Sequence, residues 1–133
     1  MNRKKNHTLL LEKVKETKDI IDCSWSNSNL CIKTLAQRLG VDREALGAVF
    51  KEQYRERINA RINRLRIKES ERLLKKNQHK ISVIASIIGF PSRIRFYQIF
   101  REKNGISPKE YQERKNLTCF QTRKTEKFNI KFP

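Results

Sequence analysis

Basic side chains recur on one side of the segment from 56 to 76, at a spacing suited to holding a row of phosphates. The segment contains no Gly or Pro and is predicted to form one long helix. At 100° per residue, one side of it carries Ile62, Arg66, Ile67, Ser70, Leu73 and Leu74. The opposite side carries Arg57, Arg61, Arg64, Lys68, Arg72 and Lys75. A solvated face is the ordinary interpretation of such charges, but the scarcity of acidic residues among them favours a polyanion, with phosphates expected at Arg57, Arg61, Arg64 and Lys68.

The whole chain is strongly basic, with a formal net charge of +17 over 133 residues. Nucleic acid suits this charge better than a membrane does, because no apolar run approaches the roughly 20 residues of a spanning helix. Residues 55 to 80 hold ten Lys or Arg against three Glu, so the charge is centred on the long helix.

Enzyme, metal and cofactor chemistry find little support in the sequence. The two histidines, His7 and His79, have no matching nucleophile or carboxylate pattern, and there is no Gly-rich phosphate loop. Cys23, Cys31 and Cys119 lack the paired spacing of a zinc site. The N-terminus has no signal-peptide pattern, so a reduced, cytoplasmic protein without a cofactor is expected.

The segments 34 to 54 and 83 to 104 are two copies of one pattern. The first half of the pattern recurs 49 positions later and the second half recurs 50 positions later: Leu35, Ala36, Leu39, Gly40, Leu46, Val49, Phe50 and Lys51 correspond to Ile84, Ala85, Ile88, Gly89, Phe96, Ile99, Phe100 and Arg101. Each copy predicts a short helix, a glycine turn and a second helix, which is a helix-turn-helix. Gly89 is expected to be left-handed and packed close to Ala85.

Further helices are predicted from about 7 to 22 and from about 108 to 115, the last one opened by Ser107 and Pro108. Trp25 is expected to pack on a core. The predicted organisation is an N-terminal helix and linker (1–29), a helical domain (30–115) and a basic tail (116–133). Within the domain, helix-turn-helix units at about 31–54 and 82–103 flank a linker helix at about 56–76. Phe128, Ile130 and Phe132 alternate in the tail as in a strand, but a single strand is not stable alone, so the tail is expected to be mobile, with pairing to an edge elsewhere as the alternative.

Residues 30 to 114 resemble the DNA-binding domain of the AraC/XylS family of bacterial transcription regulators. The resemblance is carried by Ile81, Ile84, Ala85, Gly89, Phe90, Phe96, Phe100, Gly105, Ser107, Pro108 and Tyr111, which match I-x-x-I-A-x-x-x-G-F, F-x-x-x-F and G-x-S-P-x-x-Y in order. Arg66, Leu73 and Leu74 match the family's linker pattern, with Ser70 in place of its alanine. Arg55 stands where a glycine is usual, and Arg61 where an aromatic residue is common.

The resemblance implies an all-α fold with two helix-turn-helix subdomains joined by a long linker helix. It also implies that both second helices enter successive major-groove segments of double-stranded DNA. Family members usually carry a separate sensor or dimerisation domain, for which 133 residues leave no room. The chain is therefore interpreted as part of a larger regulator, or as a small one controlled by its abundance or by a partner such as RNA polymerase or a separate sensor.

The family's base-facing positions in the first recognition helix correspond to Glu44, Gly47 and Ala48, and only Glu44 offers a hydrogen-bonding side chain, to a cytosine amine. The second recognition helix presents Arg93, Ile94, Arg95, Tyr97 and Gln98. Arginine can bind a guanine edge, glutamine an adenine edge, and isoleucine a thymine methyl. The second helix is therefore expected to dominate specificity, and further phosphate contacts are predicted for Arg43, Lys51, Arg55, Ser92 and Arg101.

The sequence thus predicts a sequence-specific transcription regulator. The alternative is an architectural or recombination-accessory DNA-binding protein, such as an excision factor of a mobile element, because a small basic chain could bend DNA. An RNA-binding module is disfavoured because the aromatic residues lie at core-like positions.

Overall fold

A computed structural model describes residues 2–114 of the chain. These residues form seven helices and no strand, so the all-α prediction is confirmed for this part of the protein. No helix within it is both long and apolar enough to cross a membrane. The predicted tail, 116–133, lies outside the described residues. The helices are α1 (Asn2–Ser24), α2 (Ile32–Leu39), α3 (Arg43–Tyr54), α4 (Ile58–Lys76), α5 (Ile81–Ile87), α6 (Arg93–Asn104) and α7, described over 108–114.

Two of these helices differ from the predicted bounds. Helix α1 is longer at both ends than the predicted 7–22. Helix α4 begins at Ile58, later than predicted, because the chain turns between α3 and α4: Arg55 ends α3 in the left-handed conformation with φ 61°, and Arg57 is extended. A non-glycine residue in that conformation is strained by about 1 kcal/mol.

Side-chain caps begin three of the described helices, α3, α6 and α7, and left-handed glycines end two helices. The carboxylate of Asp42 accepts a hydrogen bond from the Ala45 amide at 3.0 Å, and the hydroxyl of Ser107 accepts one from the Glu110 amide at 3.2 Å. Gly40 and Gly105 end α2 and α6 in the left-handed conformation.

The buried side chains form two separate cores that share helix α4. The first core contains Val14, Ile21, Leu35, Ala36, Leu46, Phe50, Ile58 and Ile62. The second contains Ile67, Leu73, Leu74, Ile84, Ala85, Ile88, Phe90, Phe96, Ile99 and Phe100. Because α4 supplies its first half to one core and its second half to the other, it joins the two helix-turn-helix units. The predicted apolar side of α4 is buried in full.

The loop between α1 and α2 is bound to the second unit. Trp25 packs against the second core, as expected. Arg66, which is 5% exposed, donates hydrogen bonds to the carbonyls of Trp25 and Asn27, each at 2.8 Å, and its guanidinium lies 5.2 Å from the centre of the Phe90 ring. Gly89 has φ 92°, a positive value as expected, and the three atoms nearest to a Cβ at this position belong to the Ser26 backbone, a contact that the sequence does not predict. These contacts hold the two units in one arrangement.

Candidate nucleic-acid interface

Helix α6 turns a row of unpaired polar side chains toward solvent. Ser92 caps the helix, its hydroxyl accepting from the Arg95 amide at 3.4 Å, and the first turn therefore begins at Arg93. Arg93, Arg95, Gln98 and Arg101 are exposed, and none of these side chains forms an ion pair or hydrogen bond with another residue of the described chain. Their donors remain available to a ligand.

Ile94 and Tyr97 are the other two residues of α6 that are predicted to contact bases, and their surroundings differ. Ile94 is 71% exposed, so its side chain is accessible to a ligand. Tyr97 is half-buried and packs against the second core, with its ring centre 6.0 Å from that of Phe96. Tyr97 therefore has a packing role that the sequence reasoning did not foresee.

Helix α3 presents a different surface. Arg43, Glu44, Ala48 and Lys51 are exposed, and Glu44 lies in the first turn, where its carboxylate is favourably placed near the positive end of the helix dipole. Gly47 faces inward: a Cβ atom there would lie 3.0 Å from Cδ1 of Ile32 on α2. Gly47 therefore lets α2 and α3 approach each other.

A cleft of about 590 Å³ opens on this side of α3, and we call it the α3 cleft. Its apolar lining comes from three helices and consists of Ile32, Gly47, Ala48, Ile58 and Ala60. Its polar lining consists of Arg43, Glu44, Lys51, Arg57 and Asn59. Three cations and one carboxylate therefore surround an apolar floor.

The basic side of α4 does not form one uniform stripe. Arg57 is exposed and lines the α3 cleft. Arg64 shares a cavity of about 340 Å³ with Arg95 and Lys103 of α6. Lys68 lines a different cavity, beside Trp25. Arg57 and Arg64 therefore lie next to the two recognition helices.

Arg61 has a structural environment that the sequence reasoning missed. It donates to the carboxylate of Asp22 on α1 at 3.0 Å and to that of Glu56 at 3.1 Å, and its side chain is 14% exposed. Arg64 also binds Glu56, at 2.9 Å, and Arg72 binds Glu69. The expectation that this side of α4 lacks acidic partners is wrong for all three arginines. Asp22 could not be anticipated from the helix pattern, since tertiary packing of α1 brings it to Arg61.

Arg61, at the centre of these ion pairs, occupies the position where the AraC/XylS resemblance leads one to expect an aromatic residue. The guanidinium of Arg61 lies 5.8 Å from the centre of the Tyr54 ring, so it still covers that ring. Hydrogen bonds from Arg64 lower the pKa of Glu56 against the opposing effect of burial, and Arg61 adds to the lowering. Burial raises the pKa of Asp22, but hydrogen bonds from Lys18 and Arg61 outweigh it, and the net pKa is lowered. Both carboxylates are thus held ionised by their cations.

The chain is similar in sequence to helix-turn-helix proteins. A family model described as a helix-turn-helix domain matches residues 35–114. The xylose operon regulatory protein of Escherichia coli strain K12 is 32% identical over 75 residues, which are 56% of this chain and 19% of that protein. The chain therefore spans about a fifth of the length of this curated relative.

Solved structures agree on the fold. A probable AraC family transcriptional regulator from Rhodopseudomonas palustris aligns with a TM-score of 0.64 at 20% identity, over 78% of this chain and 97% of that one. The DNA-binding domain of AdpA, a global transcriptional factor solved in complex with a target DNA, aligns with a TM-score of 0.65 at 21% identity, over 75% of this chain and 89% of that one.

Proposed function

The chain belongs to the AraC/XylS family of helix-turn-helix DNA-binding transcription regulators, and we propose that it reads two successive major-groove segments of double-stranded DNA. The proposal is supported by the way the two units are joined. They share α4, Arg66 donates a hydrogen bond to the α1–α2 loop, and Gly89 packs closely on it, so α3 and α6 are held on one connected framework. Two reading helices held on one framework fit one DNA face without a second subunit.

The second recognition helix, α6, carries most of the specificity in this proposal. The observation that supports it is the exposed and unpaired set Arg93, Ile94, Arg95 and Gln98. These side chains can bind guanine, adenine and the thymine methyl, whereas α3 offers base edges only the Glu44 carboxylate as a hydrogen-bonding group. Tyr97 contributes through the exposed part of its ring.

Phosphate contacts are proposed around both helices, at Arg43, Lys51, Arg55, Arg57, Arg64, Lys68, Ser92 and Arg101. Arg61 is left out of this set because its side chain is only 14% exposed and pairs with both Asp22 and Glu56, whereas Arg64 pairs, among the described residues, with Glu56 alone and is 47% exposed. Since the chain spans about a fifth of the curated relative's length, we further propose that signal sensing, and any contact with RNA polymerase, involve a separate domain or partner.

Selection of bound sequences from a random DNA pool tests this function. We expect one non-palindromic site with two unequal parts whose centres are about one helical turn, roughly 34 Å, apart. A footprint of the selected site should be made by a monomer, as judged by sedimentation of the complex. A pool that shows no enrichment, or an inverted repeat bound only by a dimer, would contradict the proposal.

A further inference from the structure

The α3 cleft has a feature that phosphate binding leaves unexplained, namely its apolar floor. Phosphate oxygens require donors, and Arg43, Lys51 and Arg57 supply these at the rim. The floor, built from Ile32, Gly47, Ala48, Ile58 and Ala60, has no side-chain donor or acceptor. A ligand that fills the cleft therefore meets a rim of net positive charge, three cations against the Glu44 carboxylate, and an apolar floor.

The major groove of DNA suits both the rim and the floor at thymine. Its 5-methyl group is the only methyl group that an unmodified base pair presents in that groove, and phosphates flank it on both strands. We propose, building on the function above, that the first recognition helix selects thymine by placing its methyl group against Ala48 and the apolar floor of the α3 cleft. Ala48 is exposed and lines the cleft, so its methyl group is available for this contact.

Gly47 makes the floor possible. Its missing side chain leaves Cδ1 of Ile32 facing the cleft, and a Cβ atom would lie 3.0 Å from it. The second unit is built differently at the same place. Tyr97 occupies the position that corresponds to Gly47, and its ring packs against the second core. The two recognition helices therefore read DNA by different chemistry, apolar contact in α3 and hydrogen bonds chiefly in α6.

Replacement of thymine by deoxyuridine isolates the methyl group, because base pairing is unchanged. We expect each substitution in the part of the selected site bound by α3 to weaken binding about fourfold, which corresponds to about 0.8 kcal/mol per buried carbon group. In the Ala48→Gln variant, which keeps a good helix former at an exposed position, those substitutions should become neutral. Any loss of affinity caused by deoxyuridine in the part of the site bound by α6 should persist in this variant.

Ile94→Gln is the matched control, since Ile94 lies on the exposed side of α6. This variant should leave unchanged the loss of affinity that deoxyuridine causes in the part of the site bound by α3. A selected site in which every deoxyuridine substitution within the part bound by α3 is neutral, or in which Ala48→Gln alters no penalty, would overturn the thymine proposal while leaving sequence-specific binding intact. A cytosine preference abolished by Glu44→Ala would also overturn it, by assigning the readout to that carboxylate. Failure to select any site would instead count against the proposed function.

Discussion

The backbone of Gly89 lies directly against the backbone of Ser26: a Cβ atom on Gly89 would fall 2.3 Å from the Ser26 carbonyl oxygen. Ser26 belongs to the loop after α1, and Gly89 to the turn between α5 and α6. The N-terminal loop is therefore an integral part of the second helix-turn-helix unit. Gly40, the corresponding glycine of the first unit, has no atom within 4 Å of the same position.

This difference predicts unequal costs for the same substitution. Gly40→Ala should lower the free energy of unfolding by about 1 kcal/mol, the cost of a side chain at positive φ. Gly89→Ala should lower it by about 3 kcal/mol or more, because the Ser26 backbone must move as well. Urea unfolding of both variants measures the difference. Equal costs would show that the loop does not pack against Gly89.

The buried guanidinium of Arg66 gives a second prediction. Arg66→Met should lower the free energy of unfolding by about 2 to 4 kcal/mol, because two carbonyls of the loop lose a charged donor. Arg72→Met on the same helix is the control and should have little effect, since Arg72 is exposed and, among the described residues, binds only Glu69. A loss for Arg66→Met no larger than for Arg72→Met would contradict the role assigned to the loop.

The sequence predicts local features of this fold well and long-range polar contacts poorly. The Asp42 and Ser107 caps and the buried side of α4 follow from short-range spacing, which acts before tertiary structure forms. The bonds from Arg61 to Asp22 and from Arg66 to Trp25 join residues 39 and 41 positions apart. No periodicity specifies such partners. For the same reason the sequence pattern does not predict the α3 cleft, whose lining comes from three helices. It does place two of the lining residues, Gly47 and Ala48, at base-facing positions of the first recognition helix.

The lowered pKa of Glu56 predicts how stability depends on pH. Because the folded protein holds this carboxylate ionised, the unfolded chain binds the proton more readily, and stability increases with pH across this titration. The contribution of Glu56 should be complete above about pH 5 and should be lost as the pH falls through its folded pKa. Asp22, whose pKa is also lowered, acts in the same direction.

Thermal unfolding of Glu56→Gln between about pH 3 and pH 7 tests this dependence. The variant should melt below the wild-type protein at neutral pH, and the two melting temperatures should converge as the solution is acidified. Glu52→Gln is the control, because Glu52 is exposed on α3 and forms no ion pair with the described residues. A difference between wild type and Glu56→Gln that persists unchanged at low pH would contradict the ion-pair account.

Arg57 and Arg61 lie in different environments on the basic side of α4, so the two residues should contribute differently to the salt dependence of DNA affinity. Arg57→Gln should reduce the slope of log K against log[salt] by about 0.9, since a phosphate contact and its counterion release are lost. Arg61→Gln should hardly change the slope, because Asp22 and Glu56 already pair with Arg61, but it should lower the melting temperature. Titrations of selected and random DNA at several salt concentrations measure both slopes. A reduction of about 0.9 for Arg61→Gln as well would place Arg61 on the DNA backbone, and no reduction for Arg57→Gln would remove Arg57 from it.

The ratio of the affinities for the selected site and for random DNA tests the central claim, that exposed side chains of α6 read bases, most directly. Arg93→Ala or Arg95→Ala should cost about 1 to 3 kcal/mol on the selected site and much less on random DNA, so the ratio should fall. Glu44→Ala should leave binding nearly unchanged or tighten it, because a carboxylate near phosphates is removed. Equal losses on both DNAs for Arg93→Ala and Arg95→Ala would contradict base reading by α6 and reassign both arginines to phosphates.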